Sequence, residues 1–274
     1  MRLSAAMFTL CTALAFSSPV PAADDFTPQV GQPGKDVIWV PTPDALVERM
    51  LDMAKVTPRD YVVDLGSGDG RTVIAAAKRG VKALGIEYNP DMVKLSVRNA
   101  EKAGVQNMAQ FVHGDVFATD FSQATVITMY LLSSLNLKLR PTLLNMKPGT
   151  RLVSHAFNMG DWNPDETAEV EGYRAYLWIV PAKVQGHWQV NSPAGSFELA
   201  VDQAFQKITA KATGSGSSGN VTDARVDGAN IAFTINDSSG RPLRYTGTVN
   251  GDTIEGTTQS AGSGERRWSA RRKS

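Results

Sequence analysis

The chain has 274 residues, 42% of them hydrophobic and 20% charged, which suits one large globular domain or two ordinary ones and excludes a disordered chain. Lys and Arg number 28 against 27 Asp and Glu, so the net charge of +1 offers no general attraction to nucleic acid or to an anionic membrane. A single cysteine excludes an intrachain disulfide.

The N-terminus has the layout of a secretory signal. Arg2 precedes an apolar run from Ala5 to Phe16, and SSPVPAA then places small residues for cleavage after Ala22. Residues 1–22 are expected to be removed and the protein to be exported, to a periplasm, with a cytoplasmic location as the alternative. Cys11 lies inside this segment, and its FTLC context lacks the small residues expected before a lipidated cysteine. Nothing later is long and apolar enough to span a bilayer, so no stable membrane insertion is expected after processing. Residues 23–36 read as a polar, proline-bearing, flexible lead.

A helix opens in IWVPTPDALVERMLDMA. Thr42 suits its N-cap, Pro43 its first turn, and Leu46, Met50 and Leu51 one apolar face. YVVDLG then reads as a buried strand, RTVIAAAKRG as a helix, KALGIEYN as a strand, PDMVKLSVRNAEKAG as a helix closed by glycine and AQFVHGD as a strand. ATVITMYLL is a further strand, LNLKLRPTLLNMKPG a helical segment interrupted by Pro141, and TRLVSHAF a strand. TAEVEGYRAYLWIVPA offers two strands turning at Gly172 with no helix between them. The alternation predicts an α/β fold over 37–183, a Rossmann-like, mostly parallel seven-stranded sheet ending in an antiparallel hairpin.

From Gly186 the composition shifts to Thr, Ser, Gly and Asn in short alternating runs. About eight strands are expected, making residues 186–274 a small all-β, barrel-like domain. VDGANIAFT and VNGDTIEGT form a weak internal repeat, with Asp-Gly and Asn-Gly as hairpin turn residues. GSGSSG, residues 214–219, reads as a long hairpin loop. The basic C-terminal RRWSARRKS reads as the solvated end of a strand, and Leu46, Met50 and Met53 as core.

The chemistry concentrates in VVDLGSGDGR. Gly66, Gly68 and Gly70 follow a G-x-G-x-G spacing rather than the G-x-G-x-x-G of a dinucleotide site, and Asp64 stands where a pyrophosphate would be repelled and an ammonium welcomed. At this point the sequence resembles the class I S-adenosylmethionine-dependent methyltransferases, whose first motif is an acid followed by x-G-x-G-x-G. The resemblance implies S-adenosyl-L-methionine as cofactor. It also implies roles for two later acids: Glu87, ending the second strand, accepts from the ribose hydroxyls, and Asp115, in HGDVF, accepts from the adenine amino group. Val116 or Phe117 would offer backbone contacts and Tyr88 a flat neighbour for the base. Read without the resemblance, Glu87 is a surface acid and Asp115 a turn former. No metal site is expected.

A closer likeness covers Val40 to Ala182. VPTP, DLGSGDGR, AAAKRG, GIEYNP and the strand running into YLL are similar to the small methyltransferases that include the lysine methyltransferases of the mitochondrial ATP synthase c-subunit. There the VPTP segment closes over the cofactor, so Thr42 and Pro43 carry a contact reading beside the helix-start one. A protein lysine is the acceptor this likeness implies, a small molecule being the other possibility. TMYLLSS lacks the N-P-P-Y type of motif that grips an exocyclic amine of a base, which argues against a nucleic-acid partner. Tyr130 is the best-placed polar group on the acceptor side, and His155 reads either as a base or as a structural histidine. The rival function is a secreted binding protein whose barrel takes a small apolar ligand beside a catalytically idle first domain.

Overall fold

A computed structural model describes residues 26–214, 219–237, 239–260, 262 and 264–273. The expected signal segment, 1–22, lies outside the described residues, as does most of the GSGSSG loop. Helix α1 (Asp44–Met53) leads into the alternation β1 (Tyr61–Leu65), α2 (Arg71–Lys78), β2 (Lys82–Glu87), α3 (Pro90–Lys102) and β3 (Ala109–His113). β4 (Val126–Met129), α4 (Ser133–Leu143), β5 (Arg151–His155), β6 (Glu166–Val170) and β7 (Tyr173–Ile179) complete the first domain.

The seven strands lie in the order β3-β2-β1-β4-β5-β7-β6, all parallel except β7, which runs antiparallel to both neighbours. The apolar runs explain the sheet. Val62, Val63 and Leu65 of β1 and all of β4 are buried, as covering on both faces requires. Strand order reverses between β1 and β4, the switch point outside whose C-terminal ends open α/β sheets bind ligands.

Three local expectations change. Pro43, not Thr42, occupies the N-cap of α1, and no side chain caps that helix. Pro141 does not interrupt α4, which runs through it to Leu143; near the C-terminus a proline costs only the hydrogen bond to the carbonyl of Leu137, an exposed position. The lead also folds up to Trp39: Gly31 and Trp39 donate to Trp39 and Gln32 carbonyls, each at 2.9 Å, and Pro33 bridges Ile38, forming a hook.

The second domain is a closed antiparallel barrel. β8 (Gly186–Ser192), β9 (Gly195–Ala204), β10 (Lys207–Gly214), β11 (Gly219–Asn220), β12 (Thr222–Asp227), β13 (Asn230–Asn236), β14 (Pro242–Asn250), β15 (Thr253–Gln259) and β16 (Arg266–Arg272) follow in turn. Pairing of β9 with β10 closes an eight-stranded ring, to which the short β11 adds at β10. Side chains fill the interior: Phe233 stacks on Tyr245 with centroids 4.9 Å apart, Trp268 meets both edge-on, and Trp188 and Phe197 are buried beside them. The repeat's turns are shifted by one residue from expectation. Asp227 pairs with Asn230 and Asn250 with Thr253, so Gly228-Ala229 and Gly251-Asp252 make the turns, with glycine supplying positive φ at the first position.

Candidate active site

The C-terminal ends of β1, β2 and β4, with the turn after β3, surround a cavity of about 490 Å³. Asp64, Gly66, Gly68, Glu87, Tyr88, Asp115, Val116, Thr42 and Tyr130 all line it; Gly70 and His155 do not.

Asp64 is buried near the end of β1, and its register partner Thr128 donates a 2.7 Å hydrogen bond to it. Burial pushes its carboxyl up to about 7, with the charges of Glu87 and Asp69 and against the Thr128 hydrogen bond. Glu87 ends β2 and turns back over the glycine loop, accepting from the N–H groups of Gly68 and Asn89, both at 2.9 Å. Asp115 accepts from Phe117 N–H at 2.9 Å and from Lys35 Nζ at 2.6 Å. The Lys35 ammonium holds the Asp115 carboxyl below the usual range, and it also lies 4.7 Å from the centroid of the Tyr88 ring.

The loop's glycines serve two purposes. At Gly68, φ is +55° and a Cβ would stand 2.7 Å from the Trp39 indole nitrogen, so the hook lies directly on the loop. Gly70, φ +83°, forms the left-handed N-cap of α2, where a Cβ would stand 2.7 Å from the Phe111 ring and 2.9 Å from Ser96 Cβ. Gly70 thus permits helix packing and is not among the residues lining the cavity.

Thr42 reaches across the sheet. Its hydroxyl pairs with His155 Nδ1 at 3.1 Å, and its carbonyl accepts from Arg71 Nη1 at 2.8 Å. Arg71 meanwhile grips Asp69, Nη2 to Oδ2 at 2.7 Å, tying the VPTP segment to the glycine loop. A cation at a helix N-terminus opposes the helix dipole, so an arginine directly after the third glycine was the sequence sign that it had anionic partners.

His155 is 2% exposed and stacks on Tyr130 with centroids 3.7 Å apart, Tyr173 meeting its edge at 5.8 Å. Burial pushes the imidazole down to about 4, leaving it neutral at ordinary pH. Burial also raises the Tyr130 phenol, which stays protonated. His155 therefore backs the ring that lines the cavity and does not face the cavity as a base. Phe157, whose ring lies 5.9 Å from Tyr130, extends this aromatic wall. Lys35, Trp39, Arg71 and Phe157 escaped the sequence reading, although the apolar run VIWV that ends the polar lead was a signal for Trp39.

Residues 64–166 match the family model described as "ANTKMT methyltransferase domain". A protein-lysine N-methyltransferase of Saccharolobus islandicus (strain REY15A) is 46% identical over 151 residues, covering 53% of this chain and 94% of that protein. The lysine N-methyltransferase of the ATP synthase c-subunit from Mus musculus is 36% identical over 47% of this chain; the match spans about half, 52%, of that relative's length. The crystal structure of an RNA methyltransferase from Salinibacter ruber in complex with S-adenosyl-L-homocysteine superposes with a TM-score of 0.52 at 50% identity, covering 53% of this chain and 96% of that one. The cofactor is accordingly S-adenosylmethionine. With its acid and glycine loop at the switch point and an all but full-length relative at this identity, the chain belongs to the class I S-adenosylmethionine-dependent methyltransferases, in the group that holds the protein-lysine enzymes.

Proposed function

We propose that this methyltransferase acts on the ε-amine of a protein lysine. The observation that carries the proposal is the 46% identity, across nearly all of its length, to the Saccharolobus protein-lysine enzyme. The residues present fit the cofactor. Asp64 suits an ammonium, Glu87 retains lone pairs for a ribose diol, and Asp115 lies beside Tyr88, Val116 and Phe117, a polar edge next to flat and apolar neighbours, as an adenine needs. When bound, the cofactor supplies a methyl group on a sulfonium that needs no acid to leave.

The protein's task is then to hold a neutral amine in line. Tyr130 and Phe157 form the wall on the acceptor side, with Leu131 and Leu132 beside them. Of the two side chains expected there as catalytic, the phenol stays protonated and the histidine is buried behind it, so both are suited to orientation rather than to proton removal. An acceptor amine with an ordinary pKa of about 10.4 would lose its proton to solvent. The Salinibacter relative is named an RNA methyltransferase, which makes RNA the rival acceptor.

Methyl-labelled cofactor offered to a mixture of single-lysine peptides and to RNA tests the reading. Label is expected on the lysine ε-nitrogen; label in RNA with none on lysine would overturn it. The proposal extends to location, where the charge, apolar run and cleavage context of residues 1–22 support export. N-terminal sequencing of natively made protein is expected to begin at Ala23, and an intact Met1 chain recovered from the cytosol would contradict export.

A further inference from the structure

β5 and β6 are parallel, each antiparallel to β7, yet the crossover between them, residues 156–165, contains no helix. Such crossovers are usually helical and cover a face of the sheet. Here the covering comes from the second domain. Trp162, at the centre of the crossover, is fully buried, and Phe205 from the barrel stacks on it with centroids 5.7 Å apart and planes within 10°. Gln206 grips the same segment on both sides: its Oε1 accepts from Trp162 Nε1 at 3.0 Å, and its Nε2 donates to Asn163 O at 2.8 Å and to Asp165 Oδ1 at 3.2 Å. Arg140 of α4 lies over the outer side of the contact, 5.4 Å from the Phe205 ring, and donates to Met159 O at 2.8 Å.

Phe205 and Gln206 are the two turn residues of the β9–β10 hairpin, since Ala204 pairs with Lys207. Two-residue hairpin turns favour Asn, Asp and Gly because φ must be positive, and the turns at Gly228 and Gly251 obey that preference. This one puts phenylalanine at φ +57°, a strained choice for a bulky residue. Neither side chain helps the turn. Both are spent on the crossover.

The far end of the crossover is the acceptor wall. Ala156 is held at φ +60°, Phe157 N–H donates to His155 O at 2.7 Å, and Asn136 of α4 donates to Phe157 O at 3.1 Å, a tightly fixed path that carries Phe157 onto the cavity. We infer that the β9–β10 turn is a positioning element for methyl transfer: Phe205 and Gln206 of the barrel fix the crossover that sets Phe157 against Tyr130. The barrel thereby does for the catalytic domain what a crossover helix would. This inference rests on the reading of the Tyr130–Phe157 side as the acceptor side.

Full-length Phe205→Ala, Gln206→Ala and Phe205→Tyr variants test it by hydrogen exchange, calorimetry with the cofactor, and kinetics on the single-lysine peptide mixture. In the two alanine variants, amide exchange across residues 156–163 should rise about tenfold while that of residues 64–71 is unchanged. Cofactor affinity should stay within about twofold of the parent's, and kcat at saturating cofactor should fall about tenfold, as misplacement of a positioning wall requires. Phe205→Tyr, which keeps the stacked ring, should restore both exchange and kcat. If Phe205→Ala loses the barrel altogether, Gln206→Ala decides, because it deletes only the side-chain grip. Unchanged exchange in 156–163, or undiminished kcat in folded variants, would overturn the inference. A parent enzyme that methylates no lysine peptide counts against the lysine reading alone, and the exchange measurement still decides the role of the turn.

Discussion

At Asp64 the fold works against a charge. Burial raises its pKa from the ordinary 3.8 to about 7, so the group favours folding while protonated, and that contribution is lost as the pH rises from about 4 through 7. Asp64→Asn should therefore stabilise the cofactor-free protein at pH values near 8, by up to about 4 kcal/mol, and have little effect near pH 4. The same change should weaken cofactor binding, since an ionised carboxylate facing an ammonium is lost. Thermal unfolding at the two pH values checks the first half, and equal effects at both would contradict it. Glu87 is a simpler case. Its carboxylate already accepts from two backbone N–H groups, and Glu87→Ala is expected to cost about 2 to 4 kcal/mol of cofactor affinity through lost charge-assisted hydrogen bonds.

Among the elements, the glycine loop and the hook show why some of the site was legible and some was not. The three acids and the glycines could be placed because each stands within a few residues of a strand end, and strands announce themselves by short apolar runs. Thr42 was ambiguous for a physical reason: a hydroxyl before a helix is a local N-cap signal, and its partner His155 lies 113 residues away. Lys35 and Trp39 belong to a segment without periodicity, held by contacts to Asp115 and the loop that no local pattern encodes. The barrel was visible from alternation, yet its turns slipped by one residue because Asp-Gly and Gly-Ala place glycine equally well in the local sequence. Gly70→Ala tests the loop as an element. A Cβ at positive φ against Phe111 and Ser96 should destabilise the protein by about 2 kcal/mol, measured by denaturant unfolding. A neutral substitution would mean that α2 starts elsewhere.

In the whole molecule, two domains divide the work of binding and support. The catalytic sheet presents its ligand groups at the switch point, whereas the barrel buries Trp188, Phe197, Phe233, Tyr245 and Trp268 in its own interior and turns Phe205 toward the first domain. Among the described residues no helix is long and apolar enough to cross a membrane. Trp268 is 3% exposed and donates to the Thr246 and Thr257 carbonyls. Trp268→Ala is expected to destabilise the barrel by about 3 to 5 kcal/mol while leaving cofactor affinity unchanged in the folded protein. A large loss of affinity there would place the cofactor site partly in the barrel.

Carboxylates at neighbouring strand ends are expected to hold S-adenosylmethionine in the cavity between β1 and β4. Calorimetric titration of the purified chain and of its Glu87→Ala variant tests it most directly. The parent should bind one cofactor per chain, and the variant should bind about 30- to 1,000-fold more weakly, the equivalent of 2 to 4 kcal/mol. Equal affinity in the two proteins, or no binding by the parent, would contradict this mode of cofactor binding.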